Sequence, residues 1–190
     1  MIKRLAVYCG SAPGADPAFT DATRELGVVM ADRGIDLVYG GGKLGLMGII
    51  ADTVLERGGK VYGVIPDALV AHEVAHQDCT ELFTVTTMHE RKAKMTELCD
   101  AFVALPGGIG TLDELFEAWT WNALGYHAQP LCLLNVNGFW DGLAGFMDHV
   151  VDSGFLSDAR RSQLLKADSP AAAIELLDAA VKTAAQGVTW

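Results

Sequence analysis

Short apolar blocks alternate along this chain with stretches whose apolar residues recur every three or four positions. The blocks fall at residues 5–9, 35–39, 60–65, 81–86, 101–105 and 131–134. They are too short for helices and are bounded by Gly, Pro or polar residues, so they read as strands. Helical spacing is predicted between them over 17–33 (Phe19, Leu26, Val29, Met30), 46–57, 88–99 and 111–124 (Leu112, Leu115, Phe116, Trp119). Further helices are expected near 140–153 and 170–185. Gly34 and Gly58-Gly59 stop the first two helices, and Ser169-Pro170 opens the last. Residues 67–80 are polar and fit neither period. The strands are continuously apolar rather than alternating. Strand-helix alternation with strands of that kind predicts an α/β fold: a parallel sheet covered by helices on both faces, in one domain spanning 1–190.

In a parallel sheet the loops that follow the strands share one edge, where ligands bind. Four such loops are chemically suggestive: 10–15, 40–45, 86–92 and 106–111. The last organises the rest. Ala101-Phe102-Val103-Ala104-Leu105 runs into Pro106-Gly107-Gly108-Ile109-Gly110-Thr111-Leu112-Asp113-Glu114. Glycines let the backbone turn its amides toward one point, and the first amides of a helix have no internal partner. Together they suit an anion, phosphate above all. Glu114 sits one turn into that helix. The competing reading is a capping box, with Thr111 and Glu114 satisfying each other's amides and no ligand involved.

Composition narrows the partner. Of 190 residues 51% are hydrophobic, enough for a sizeable core, and the net charge is −10. A nucleic-acid polymer is disfavoured by that charge, while a phosphorylated small molecule remains compatible with local amides and a few cations. Cys9, Cys79, Cys99 and Cys132 lack paired metal spacing and read as reduced thiols of a cytoplasmic protein. The N-terminus runs straight into a strand, unlike a signal peptide, and no apolar run is long enough to span a bilayer.

Three local patterns carry other chemistry. Gly40-x-Gly42-x-x-Gly45 matches the dinucleotide fingerprint, but it follows the second strand and no acidic residue is placed for the ribose. His72-Glu73-Val74-Ala75-His76 matches a zinc-protease motif; Pro66 and the strand near 81 leave room for two helical turns at most, and the expectation is two surface histidines on a short helix. Met88-His89-Glu90-Arg91-Lys92 opens a helix at the ligand edge, where Arg91 and Lys92 can meet a phosphate or orient a carboxylate.

The paired stretches at 88–92 and 106–114 resemble the Lonely Guy family of cytokinin riboside 5′-monophosphate phosphoribohydrolases, long labelled lysine decarboxylases. The similarity runs from Cys9-Gly10-Ser11 through Gly40-Gly41-Gly42, Ile65-Pro66 and Trp119-Thr120-Trp121 to Asn135-Val136-Asn137-Gly138-Phe139. The resemblance implies a Rossmann-like homodimer, doubly wound, that hydrolyses a nucleoside 5′-monophosphate to free base and ribose 5-phosphate with no metal or other cofactor. Arg91 and Glu114 match the catalytic pair. Gly108, Gly110 and Thr111 match the phosphate loop, and Glu73, Lys92 and Thr120 match other nucleotide-contacting positions. Ser11, Gly41, Gly42, Met88, Gly107 and Ile109 complete the substrate-binding set. Asp113 stands where many members carry glutamate. The decarboxylase label fits poorly, since it needs a pyridoxal-bound lysine and no lysine has a persuasive setting. The alternative reading is a non-catalytic nucleotide carrier on the same fold. Nothing in the sequence separates a cytokinin-type base from plain adenine.

Overall fold

The computed structural model describes residues 1–70 and 74–186. Seven strands form one sheet: β1 (Arg4–Tyr8), β2 (Asp36–Tyr39), β3 (Val61–Pro66), β4 (Glu81–Val85), β5 (Ala101–Ala104), β6 (Leu131–Leu134) and β7 (Leu164–Ala167). Their order is β4-β3-β2-β1-β5-β6-β7, and every pairing is parallel. The central strands β1, β5 and β6 are almost wholly apolar because both faces are covered.

Helices α1 (Pro17–Asp32), α2 (Gly45–Glu56) and α7 (Pro170–Gln186) cover one face. Leu26, Met30, Ile50, Val54, Ile174 and Leu177 pack there against Leu5, Val7, Leu37 and Val103. Helices α3 (Met88–Leu98), α4 (Ile109–Ala123) and α5 (Asp141–Asp152) cover the other, where Met95, Leu115, Trp119 and Met147 meet Ala6, Tyr8, Phe102 and Leu133. Successive residues of a strand point to opposite faces, so Val7 and Tyr8 serve different layers. Asp16 caps α1 by accepting from the Ala18 amide at 2.9 Å, with Pro17 fixing the first turn.

Strand β7 was not expected from the apolar spacing. It lies at the sheet edge, and only Leu164 and Ala167 of its four residues are buried. An edge strand can leave Lys166 in solvent, which erases the apolar block that marks a central strand. The single-turn helix α6 (Asp158–Arg161), capped by Ser157, was equally unannounced. Among the described residues no helix is long and apolar enough to cross a membrane.

The chain moves outward from β1 through β2, β3 and β4, then crosses back to β5 on the other side of β1. The loops after β1 and β5 therefore part in opposite directions and leave a crevice between them. They are tied at its floor: the Gly10 amide donates to Pro106 O at 3.1 Å, and the Leu46 amide to Gly10 O at 3.1 Å.

Candidate active site

A cavity of about 410 Å³ opens at this crevice. Ser11, Met88, Arg91, Gly108, Ile109, Gly110, Thr111 and Glu114 line it, as do Val7, Cys9, Gly10, Gly40, Met47 and Leu69. It gathers the ends of β1, β2 and β5 and the starts of α3 and α4. A larger, shallower hollow of about 760 Å³ sits at the opposite sheet edge, between Asn122, His127, Gln163 and Thr183. Among the described residues no Asp, Glu, Lys or Arg lines it, whereas Arg91 and Glu114 line the crevice.

Helix α4 starts earlier than its spacing suggested. Its N-cap is Gly108, in extended conformation, and no side chain caps it. Thr111 is thus the third helical residue and Glu114 the sixth, which rules out the capping box between them. The amides of Ile109, Gly110 and Thr111 belong to the first turn, where no carbonyl within the helix can take them. The glycines around them do different jobs. A Cβ on Gly107 would overlap the Thr111 side chain and crowd the Gly10 amide, so this glycine allows the two loops to touch. A Cβ on Gly108 or Gly110 would meet nothing within 4 Å. There, the backbone lies open on the cavity side.

A related reciprocal cap is found on α3 instead, displaced by one residue from the usual box. Thr87 accepts from the Glu90 amide at 3.1 Å, and Glu90 accepts from the Thr86 amide at 2.8 Å. This fixes the start of the helix that carries Arg91. The Arg91 side chain is buried, donating from Nε to Val64 O at 3.0 Å and from Nη2 to Gly40 O at 2.7 Å. A fork held by two carbonyls, one within β3 and one just after β2, has little freedom, and Arg91 lines the cavity. Below lies Tyr8, stacked on Phe102. Burial, and then the negative charge of Glu114, push the Tyr8 phenol well above its ordinary value, so it stays neutral.

Other expected site residues are placed elsewhere. Lys92 does not line the cavity; its ammonium is engaged by Asp113 at 3.0 Å and Glu117 at 2.8 Å. Thr120 faces a groove of about 280 Å³ between α4 and α5, beside Phe116, Trp119 and Met147. Gly107 lines the adjoining hollow with Phe19 and Phe139. Gly41 and Gly42 back the segment after residue 73: the His76 amide donates to Gly41 O at 2.9 Å, and Gly42 bridges Ala75. His72 and Glu73 lie outside the described residues.

His76 corrects the expectation of a surface histidine. It is 0% exposed, its Nε2 lies 2.9 Å from Asp52, and its Nδ1 accepts from the Asp78 amide at 3.3 Å. Val74 has φ 48° and Ala75 sits in the bridge, so this stretch does not continue as a metal-binding helix. The Gly40–Gly45 loop likewise serves packing. A Cβ on Gly45 would overlap the Ser11-Ala12 backbone, and one on Gly40 would overlap the Arg91 guanidinium.

The wall residues Val7, Cys9, Gly10, Gly40, Met47 and Leu69 were not among the expected site residues. Strand-end position could have found Val7, Cys9, Gly10 and Gly40. Met47 and Leu69 carry no local signal; only the fold brings them in.

The chain matches the family described as "possible lysine decarboxylase" over residues 47–177. It is 45% identical to the cytokinin riboside 5′-monophosphate phosphoribohydrolase LOG of Oryza sativa subsp. japonica, over 99% of this chain and 78% of that protein. It is also 45% identical to a cytokinin riboside 5′-monophosphate phosphoribohydrolase of Arabidopsis thaliana, over 93% of this chain and 83% of that one. Among solved structures, the molybdenum cofactor binding protein from Rippkaea orientalis superposes with a TM-score of 0.70 at 22% identity, covering 94% of this chain and 97% of that chain. A structural-genomics target gives 0.72 at 25% identity, covering 93% and 99%. The structural likenesses carry the Rossmann-like fold; the sequence identity and its coverage carry the family. This chain belongs to the cytokinin riboside 5′-monophosphate phosphoribohydrolase, or Lonely Guy, family.

Proposed function

We propose that this chain hydrolyses the N-glycosidic bond of a nucleoside 5′-monophosphate, a cytokinin riboside 5′-monophosphate or AMP, to free base and ribose 5-phosphate. The observation that carries this reading is that a carboxylate, Glu114, and a fixed cation, Arg91, share one cavity with the uncapped start of α4. The 5′-phosphate binds at the amides of residues 109–111, with Gly108 and Gly110 leaving room for close approach. Ser11 and Met88 line the same space.

Breaking the ribosyl C–N bond builds positive charge on the sugar, as in glycoside hydrolysis. Glu114 stabilises that charge and deprotonates the attacking water. The phosphate, held at the far end, orients the reacting bond with binding energy remote from it. Arg91 orients Glu114 or the substrate. Glu73 reaches a ribose hydroxyl or the base. No metal or other cofactor enters the scheme.

The working unit is a homodimer. Leu124 and Phe155, 59% and 88% exposed, flank the α4–α5 groove, and a second copy would cover them. Free thiols at Cys79, Cys99 and Cys132 support a cytoplasmic location, which cell fractionation checks.

The test is incubation with a panel of nucleoside 5′-monophosphates and adenosine, resolving base and sugar phosphate by chromatography. AMP or a cytokinin riboside 5′-monophosphate should release base roughly 10²-fold faster than its unphosphorylated nucleoside. Equal rates on AMP and adenosine, or no release from any monophosphate, would overturn the reading.

A further inference from the structure

Helix α3 carries Arg91 but has little apolar surface of its own. Its buried residues are Arg91, Lys92 and Met95, so polar bonds must set much of its position. Arg91 turns toward β2 and β3 through Gly40 and Val64. Its neighbour Lys92, about 100° further round the helix, turns toward α4. The Lys92 side chain is 6% exposed and bonds two carboxylates at once, Asp113 at 3.0 Å and Glu117 at 2.8 Å. Those two are four residues apart, on one ridge of α4. Glu114 follows directly after Asp113. The tether therefore joins α3 and α4 one residue away from each member of the proposed catalytic pair. Glu117 is itself mostly buried, and its second oxygen, Oε1, has no hydrogen-bond partner among the described residues. Burial works against the Lys92 charge, yet the bonds from Glu117 and Asp113 outweigh it and leave its pKa raised.

We infer that Lys92 is a positioning residue: by clamping Asp113 and Glu117 it fixes α3 against α4 and so sets Arg91 relative to Glu114, without touching the nucleotide. The sequence resemblance implies the opposite role for Lys92, a direct contact with the substrate. The two roles separate in kinetics. A tether acts on geometry in the reacting state and lowers kcat, because small misplacement of reacting groups is expensive. A substrate contact acts on binding and raises KM.

The inference rests on the proposed phosphoribohydrolase activity, so wild-type base release from AMP is established first; calorimetric AMP affinity is recorded in parallel and reads the same question without turnover. Three proteins are compared with wild type: Lys92→Met, the pair Asp113→Asn with Glu117→Gln, and all three changes together. The triple variant leaves no buried charge unneutralised, so it reports even where Lys92→Met, or the carboxylate pair alone, fails to fold. The expected result is a kcat loss of about 10–100-fold in the paired variant, with AMP KM and affinity within about twofold. The triple variant should be no worse than the pair, because both remove one interaction. Full activity in the paired variant, losses that add in the triple variant, or a tenfold weaker AMP affinity on loss of Lys92 would each overturn the tether. If wild type releases no base from any monophosphate, the activity fails; a tenfold affinity loss in the triple but not the paired variant still contradicts the tether, and unchanged affinity in both still excludes the substrate contact.

Discussion

Arg91 donates through Nη2 to the Gly40 carbonyl at 2.7 Å, and a side chain on Gly40 would stand where that nitrogen is. The glycine after β2 is thus a space kept for the guanidinium. Gly40→Ala should leave the fold intact, because the group displaced is the tip of a long side chain. It should lower kcat/KM about 10–100-fold, the cost of a misplaced catalytic group. Thermal unfolding and steady-state kinetics on one preparation check both halves; unchanged kinetics would mean that Arg91 tolerates displacement.

Neighbouring glycines in the proposed phosphate loop should separate cleanly. Gly107→Ala drives a methyl into Thr111 and toward the Gly10 backbone. It should cost about 1–3 kcal/mol of stability, as overpacking does. Gly108→Ala meets no atom of the described residues within 4 Å. It should keep the melting temperature yet weaken AMP binding roughly tenfold, by crowding the anion site. Calorimetric titration and thermal melts distinguish the two, and a reversed pattern would relocate the phosphate.

Chelation should change nothing. His76 is engaged by Asp52 and the Asp78 amide, and the stretch after Val74 is not helical. Dialysis against a strong chelator followed by assay is expected to return the untreated rate. Activity lost and then restored by zinc alone would contradict the metal-free scheme.

The exposed Leu124 and Phe155 beside the α4–α5 groove give the dimer its test. Light scattering at working concentration should report twice the chain mass. Replacing both residues with Asp should report one, because two buried charges would have no partner. A wild-type monomer would end the dimer proposal.

Much of this was legible in the sequence. The central strands are apolar on both faces, so their blocks stand out, and the loop at 106–111 carries its own chemistry in three glycines and a helix start. What stayed hidden depended on neighbours far along the chain. Lys166 hides β7, because an edge strand keeps a wet face. The true cap of α4 was misplaced because Thr111 and Glu114 have capping-box spacing by coincidence, while the helix begins at Ile109. Lys92 beside Arg91 looks like a second ligand cation until the fold brings Asp113 and Glu117 to it. His76 looks like a surface residue until Asp52 of α2 is packed over it.

In the proposed reaction Glu114 performs the chemistry, and the Glu114→Gln variant isolates that role. The change keeps shape and removes charge, and it leaves untouched the amides proposed to hold phosphate. AMP affinity by calorimetry should stay within about twofold, while kcat for adenine release falls on the order of 10²–10⁴-fold, the range for a lost acid–base group. A folded Glu114→Gln protein that turns over AMP at the wild-type rate would exclude Glu114 as the catalytic carboxylate.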